Sequence, residues 1–244
     1  MNKVNFYGVN LNLIDTSEML EIWGDAFEED KTKTMFFLNA HYYNIACKDK
    51  EYKKILNKCD LLLNDGIGVR LGLKFKGLKE KENMNGTDLI PKIIEISSKN
   101  NKNIYLLGGI EDVAEKAGEK IKAKCENVNI VGYHSGFFDK DEEVKIIKEI
   151  VNNDTDILIV GMGAPLQEKW IYNNLDKLQG VKLVVAGGAI LDFISERVSR
   201  APVWVRKLNM EWVYRLLLEP KRLFERYVIG NFKFFINIYC NRKE

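Results

Sequence analysis

The stretch Ile157-Leu158-Ile159-Val160-Gly161-Met162-Gly163-Ala164-Pro165 decides the fold: an apolar run of strand length that ends in a glycine-rich turn. The same signature recurs three times. Leu183–Ala186 leads into Gly187-Gly188-Ala189, Ile104–Leu107 into Gly108-Gly109, and Leu61–Leu63 into Asn64-Asp65-Gly66. Met35–Leu38 and Asn129–Val131 complete the apolar runs, and a further strand is expected over Val4–Val9. Between the runs lie amphipathic helical patterns: Thr87–Lys99 with Thr87 as the expected N-cap, Asp112–Cys125, and Asp141–Asn152 with Val144, Ile147 and Ile150 at helical spacing. This alternation predicts an α/β fold, a Rossmann-like parallel sheet flanked by helices.

With 244 residues, 46% hydrophobic and 30% charged, the chain can bury a sizeable core near the upper size of one domain. We expect a catalytic domain over residues 1–200 and an appendage over 201–244. Cys47, Cys59, Cys125 and Cys240 form no Cys-x-x-Cys pair, so neither a zinc cluster nor a disulfide framework is suggested. The N-terminal stretch lacks the basic region and apolar core of a signal peptide, and a cytoplasmic location is expected. The best candidate for a spanning helix, Val181–Ile194, is interrupted by Gly187, Gly188 and Asp192, short of the roughly 18 apolar residues required.

The net charge of +2 hides an asymmetry, because residues 197–244 carry +7 and the remainder −5. Nine aromatics from Trp204 to Tyr239 are interleaved there with Arg206, Lys207, Arg215, Arg222, Arg226 and Lys233. A basic, aromatic helical segment of this kind suits the anionic surface of a membrane. A helical pair packed on the sheet or in a dimer seam, hence a homo-oligomer, is the alternative. Nucleic acid is not expected, since the aromatics read as helical rather than as a stacking platform on a sheet.

In open α/β sheets ligands bind at the carboxyl ends of the strands, where glycines let backbone N–H groups approach a phosphate. A nucleotide diphosphate is the natural guest, although such turns also serve merely to join strands to helices. Asp65 follows an apolar strand and is either a general base presented to a cleft or the cap of the next helix. Asn39 has the same two readings, a sugar ligand or a cap. His41 and His134 have no ligand-like spacing and no Asp-x-Asp motif is present, so no metal or other cofactor is expected. A nicotinamide- or methyl-donor-dependent enzyme would need a glycine-rich turn after the first strand, which is absent. A non-catalytic membrane-surface or nucleic-acid adaptor is the remaining rival.

Several segments carry a closer resemblance: Leu38-Asn39-Ala40, Asn64-Asp65-Gly66-Ile67-Gly68-Val69, Asn85-Gly86-Thr87-Asp88-Leu89, Tyr105-Leu106-Leu107-Gly108-Gly109, Gly132-Tyr133-His134-Ser135-Gly136-Phe137-Phe138, Gly163-Ala164-Pro165-Leu166-Gln167-Glu168-Lys169-Trp170, Arg200-Ala201-Pro202 and Glu211-Trp212-Val213-Tyr214-Arg215. In order and spacing they resemble the WecG/TagA/CpsF family of glycosyltransferases over nearly the whole chain. The resemblance implies a UDP-sugar donor, an undecaprenyl-diphosphate-linked sugar acceptor, and inverting transfer without a metal at the inner face of the plasma membrane. It implies Asp65 as the base, Asn39, Asn85 and Gln167 as sugar-pocket residues, and Arg215 and Arg222 as arginines brought to the active site by the appendage. Gly108, Gly109, Phe137, Gly163, Gly187, Gly188 and Asp192 fall on the expected nucleotide side. The family's third arginine lands on Glu225, with Arg226 one place later. The Thr-Pro-Asn of the N-acetylmannosamine-transferring teichoic acid enzymes reads Phe37-Leu38-Asn39, and their Arg-Val-x-Gly reads Asn83-Met84-Asn85-Gly86. Both departures tilt the expected donor slightly toward a plain UDP-hexose such as UDP-glucose, with UDP-N-acetylmannosamine next.

Overall fold

The computed structural model describes residues 3–208 and 210–242, so Asn209, Lys243 and Glu244 of the 201–244 segment lie outside the described residues. The strands are β1 (Lys3–Phe6), β2 (Val9–Asn12), β3 (Lys33–Leu38), β4 (Leu61–Asn64), β5 (Asn103–Gly108), β6 (Asn129–His134), β7 (Ile157–Gly161) and β8 (Leu183–Ala186). They form one sheet in the order β1-β2-β4-β3-β8-β7-β5-β6, parallel throughout except for the β1-β2 hairpin. The helices of the sheet layers are α1 (Thr16–Glu28), α2 (Ala40–Lys48), α3 (Lys50–Lys58), α4 (Gly66–Phe75), α5 (Gly86–Lys99), α6 (Val113–Lys124), α7 (Lys140–Asn152), α8 (Leu166–Asn174) and α9 (Ile190–Ile194). Then follow α10 (Val203–Lys207), α11 (Glu211–Leu218), α12 (Pro220–Phe224), a π-helical turn over Glu225–Ile229, and α13 (Gly230–Cys240).

The period-two alternation of strand side chains sorts the core into two layers. Phe36, Leu38, Leu158, Val160 and Val184 point to the side of α2, α3, α7 and α8. Met35, Phe37, Ile157, Ile159 and Val185 point to the side of α1, α5, α6 and α9. Two expectations need correction at the level of elements. Val4–Val9 is not one strand: Tyr7 and Gly8 both take positive φ, 51° and 82°, the signature of a two-residue hairpin turn that folds β2 back on β1. Thr87 is not the cap of α5, because Asn85 lies two residues earlier and its Oδ1 accepts the Asp88 N–H at 2.9 Å. An asparagine outranks threonine at that position.

The 201–244 segment divides in two. The helices α10 to α12 run along the mouth of a cleft, whereas α13 packs into the core against α2 and α4. Phe234 is fully buried, its ring 5.5 Å from that of Tyr43 and 6.4 Å from that of Phe6. Asn44 pins the helix by donating to the Gly230 carbonyl at 2.7 Å and accepting from Asn237 at 2.8 Å. Among the described residues, no helix is long and apolar enough to cross a membrane.

Candidate active site

The order of the sheet reverses between β3 and β8. Their following helices, α2 and α9, cover opposite faces, which leaves a crevice beyond the strand ends. A cleft of about 980 Å³ occupies that crevice. Asn39, Asp65, Asn85, Gly109, Phe137, Gly163, Gly187, Gly188, Asp192, Arg215 and Arg222, all singled out from the sequence, line it. Gly108 and Gln167 do not.

Asp65 stands at the N-cap position of α4, yet its side chain makes no cap hydrogen bond. The helix entrance is served instead by Asn83, whose Oδ1 accepts the Gly66 N–H at 2.9 Å. The carboxylate is therefore not spent on capping, and its recorded side-chain partner is Asn39 Nδ2, 3.3 Å from Oδ2. Burial raises its pKa to about 6; Glu211 pushes the same way, while the Asn39 hydrogen bond and the Arg226 and Arg215 cations oppose. A carboxyl poised there can take a proton near neutrality.

Asn39 is both a cap and a ligand of the base, since its Oδ1 accepts the Tyr42 N–H at 3.0 Å. Asn85 faces the cleft with its amide occupied: Oδ1 takes the Asp88 N–H and the Thr87 hydroxyl, and Nδ2 donates to Asp88 at 2.8 Å. Gln167 lies beneath the cleft floor, fully buried, with Oδ-equivalent Oε1 accepting from Gly163 N–H at 3.1 Å and Gly188 N–H at 3.0 Å.

The glycine turns differ from the expected phosphate cradle. The N–H of Gly109 goes to the Gly161 carbonyl at 3.0 Å, that of Gly187 to the Val160 carbonyl at 2.7 Å, and those of Gly163 and Gly188 to Gln167. These four donors lace adjacent loops together and are not offered to a ligand. Gly108 is required for closeness, since a Cβ there, at φ +148°, would stand 2.5 Å from the Gly161 carbonyl group.

The burden of binding an anion then falls on arginines. Arg222 is held by Glu219 through two bonds of 2.6 and 2.7 Å, and Arg197 is held by Asp192 at 2.6 Å. Arg206 and Arg200 both reach Asp88 at the start of α5. Arg215 and Arg226 are different. The first lies over the Phe193 ring at 5.2 Å, the second near the Tyr42 and Tyr227 rings at 5.9 and 5.5 Å. Among the described residues neither is ion-paired with a carboxylate, while each has a buried Nε without a hydrogen-bond partner, as Arg200 also has. Arg226 reaches the cleft from within the π-helical turn, where one extra residue per turn re-aims the side chains that follow. Glu225, its neighbour, is exposed.

Sequence reasoning missed His41 and Tyr42 as lining residues. Their signal was position, in the first turn of the helix that Asn39 caps. Burial, then Arg226, lowers the His41 pKa to about 4, which keeps the ring neutral. Among the described residues, no group of three or more His, Cys, Asp or Glu side chains is disposed to hold a metal ion.

An α/β sheet with a cleft at its switch point, a half-buried carboxylate on the floor and arginines at the rim is suited to acid–base chemistry on an anionic ligand. A sequence model of the glycosyl transferase WecG/TagA/CpsF family matches residues 4–244, and the chain belongs to that family. It is 32% identical over 177 residues, 72% of this chain and 68% of the relative, to an N-acetylglucosaminyldiphosphoundecaprenol N-acetyl-beta-D-mannosaminyltransferase of Bacillus subtilis (strain 168). It is 28% identical over 223 residues, 91% of this chain and 87% of the relative, to a protein of the same name from Staphylococcus aureus (strain NCTC 8325 / PS 47).

Proposed function

We propose that the protein transfers a sugar from a UDP-sugar, with inversion, to a polyprenyl-diphosphate-linked sugar at a membrane surface, as part of cell-surface polysaccharide synthesis. The observation that carries this reading is the unspent carboxylate of Asp65 on the floor of a cleft whose rim holds Arg215 and Arg226. Asp65 takes the proton of the acceptor hydroxyl as that oxygen attacks C1 of the donor sugar from the face opposite UDP. The bond from C1 to the diphosphate breaks with its electron pair on the departing oxygen. Arg215 and Arg226 receive that charge, and Arg222 joins them by exchanging Glu219 for phosphate. General-base catalysis contributes about 10²–10⁴-fold, and positioning and charge stabilisation supply the remainder.

The lipid-linked acceptor is supported by the names of the relatives and by the surface of the tail. Trp204, Leu208, Leu217, Phe224, Phe232 and Tyr239 are all exposed, beside the cations of a segment carrying +7. Exposed apolar side chains among cations suit the headgroup region of an anionic bilayer.

The relatives' names give N-acetylmannosamine as the sugar moved. Phe37 and Asn83, which stand where the mannosamine-transferring teichoic acid enzymes have threonine and arginine, both line the cleft, and on that difference we favour a plain hexose slightly. The experiment is a panel of UDP-sugars offered with a short-chain lipid-diphosphate acceptor, product being read by mass. Transfer from UDP-glucose above UDP-N-acetylmannosamine is expected, and absence of transfer from every UDP-sugar overturns the reading. UDP itself, at 100 times its dissociation constant, should stabilise the fold by about 2.7 kcal/mol, and NAD or an oligonucleotide should not.

A further inference from the structure

Two consecutive polar residues at the start of α8, Gln167 and Glu168, are both completely buried. Burying such groups is costly unless they are paired, so their partners define what they do. Gln167 Oε1 accepts from two loops at once, the Gly163 N–H after β7 and the Gly188 N–H after β8. That double acceptance fixes the amide orientation, since the flipped form would set an NH₂ against two N–H groups. The amide nitrogen is thereby directed at Glu168, and Nε2 donates to Oε1 at 2.8 Å. The second carboxyl oxygen, Oε2, is buried without a partner. Burial pushes the Glu168 pKa up to about 7, and the carboxyl accepts the Gln167 bond in either protonation state.

The two loops so joined line the cleft side by side. Gly163 and Gly188 hold positive φ of +81° and +58°, and a Cβ on Gly161 would lie 2.9 Å from the Gly188 carbonyl oxygen. Their separation is thus set closely, and Gln167 is the side chain recorded as bridging both backbones. We infer that Gln167 and Glu168 form a clamp under the donor site, and that Glu168 is a positioning residue that holds the Gln167 amide in the orientation joining the two loops. The inference rests on the UDP-sugar reading of the cleft. It differs from the sugar-pocket role that the family resemblance implies for Gln167, because the clamp touches no part of the sugar.

The two roles separate by what happens to UDP without its sugar. Affinity of the full chain for UDP and for several UDP-sugars is measured by titration calorimetry in wild type, Glu168→Leu, Glu168→Gln and Gln167→Ala, with a thermal melt for each. A clamp predicts that Glu168→Leu and Gln167→Ala weaken UDP and every UDP-sugar alike, by about ten-fold, the value of one buried hydrogen-bonded group. Glu168→Gln, whose carbonyl accepts the same bond, should restore affinity, which loss of packing alone does not explain. In turnover the clamp variants should raise the donor KM more than they lower kcat. If Gln167→Ala weakens UDP-sugars and leaves UDP unchanged, Gln167 meets the sugar and the clamp is wrong. Equal UDP affinity in Glu168→Leu and wild type also overturns it. Should Glu168→Leu fail to fold, the Gln167→Ala comparison decides. A wild-type chain that binds no UDP overturns the donor reading itself, and the clamp inference with it.

Discussion

Asn39 connects a helix to a base with one amide: Oδ1 takes the Tyr42 N–H at 3.0 Å and closes the start of α2, while Nδ2 reaches Asp65 Oδ2 at 3.3 Å. The hydrogen bond favours the charged carboxylate and opposes the effect of its burial. Asn39→Ala should therefore have two effects of different kind. Loss of the cap should cost about 1 kcal/mol in denaturant unfolding. Loss of the donor should raise the Asp65 pKa further, moving the acid limb of the pH–turnover profile to higher pH. An unmoved limb would show that the amide does not tune the base.

Asp65→Asn should keep UDP binding and lower turnover by about 10²-fold or more. In the wild-type chain turnover should rise with pH through about 6 and level off, because the base works only when deprotonated.

The same residue gives a stability prediction of definite sign. Its folded pKa, about 6, lies above the ordinary 3.8, so between those values the folded state holds more proton than the unfolded state. Stability is then lost as pH rises from about 4 to 6. Asp65→Asn removes that loss and should be more stable than wild type at pH 8, by up to about 3 kcal/mol, with no such advantage at pH 4. A lower melting temperature at pH 8 would contradict the burial assigned to this carboxyl.

The arginines should not be equivalent. Arg215→Ala and Arg226→Ala remove cations whose Nε atoms have no hydrogen-bond partner, and each should lower single-turnover transfer by about 10²-fold, as loss of a charged donor at a departing anion does. Arg222→Ala releases Glu219 and should cost less. Equal losses for all three would mean that Glu219 surrenders Arg222 fully on donor binding.

Removal of the tail is a test of stability as much as of activity. Phe234→Ala should destabilise the chain by about 3–5 kcal/mol, the usual effect of emptying an aromatic site in a core. Truncation before Val203 removes that ring and uncovers Phe6 and Tyr43, so it should lower the melting temperature sharply. A truncated chain that melts like the full one would show that α13 contributes little to the fold.

The sheet was legible because its central strands β5, β7 and β8 are apolar and buried on both faces and run into glycines, a pattern that tertiary contacts reinforce. The hairpin at Tyr7-Gly8 was not, since a single glycine amid apolar residues reads equally as strand interior. At the site, Asp65 was legible as a position but not as a role. Whether it capped α4 depended on Asn83, eighteen residues downstream in sequence and adjacent only in space. Gln167 was legible as a motif, but its burial was set by two loops distant in sequence from each other. Arg226 was legible as an arginine one place after the expected position, but its role was obscured by a π-helical turn, which changes the periodicity on which counting along a helix relies.

The seating of α13 between α2 and α4 has a geometric consequence. A tail on a flexible tether would let the catalytic floor wander at any height above a bilayer. Here the helix that follows the arginines is bolted to the helix that Asn39 caps, by Phe234 and by the Asn44 pair. On the proposed docking, Asp65 then stands at one fixed altitude over the headgroups. On that proposal the geometry would act as a gauge, suited to a lipid-linked acceptor whose terminal hydroxyl stands at that height.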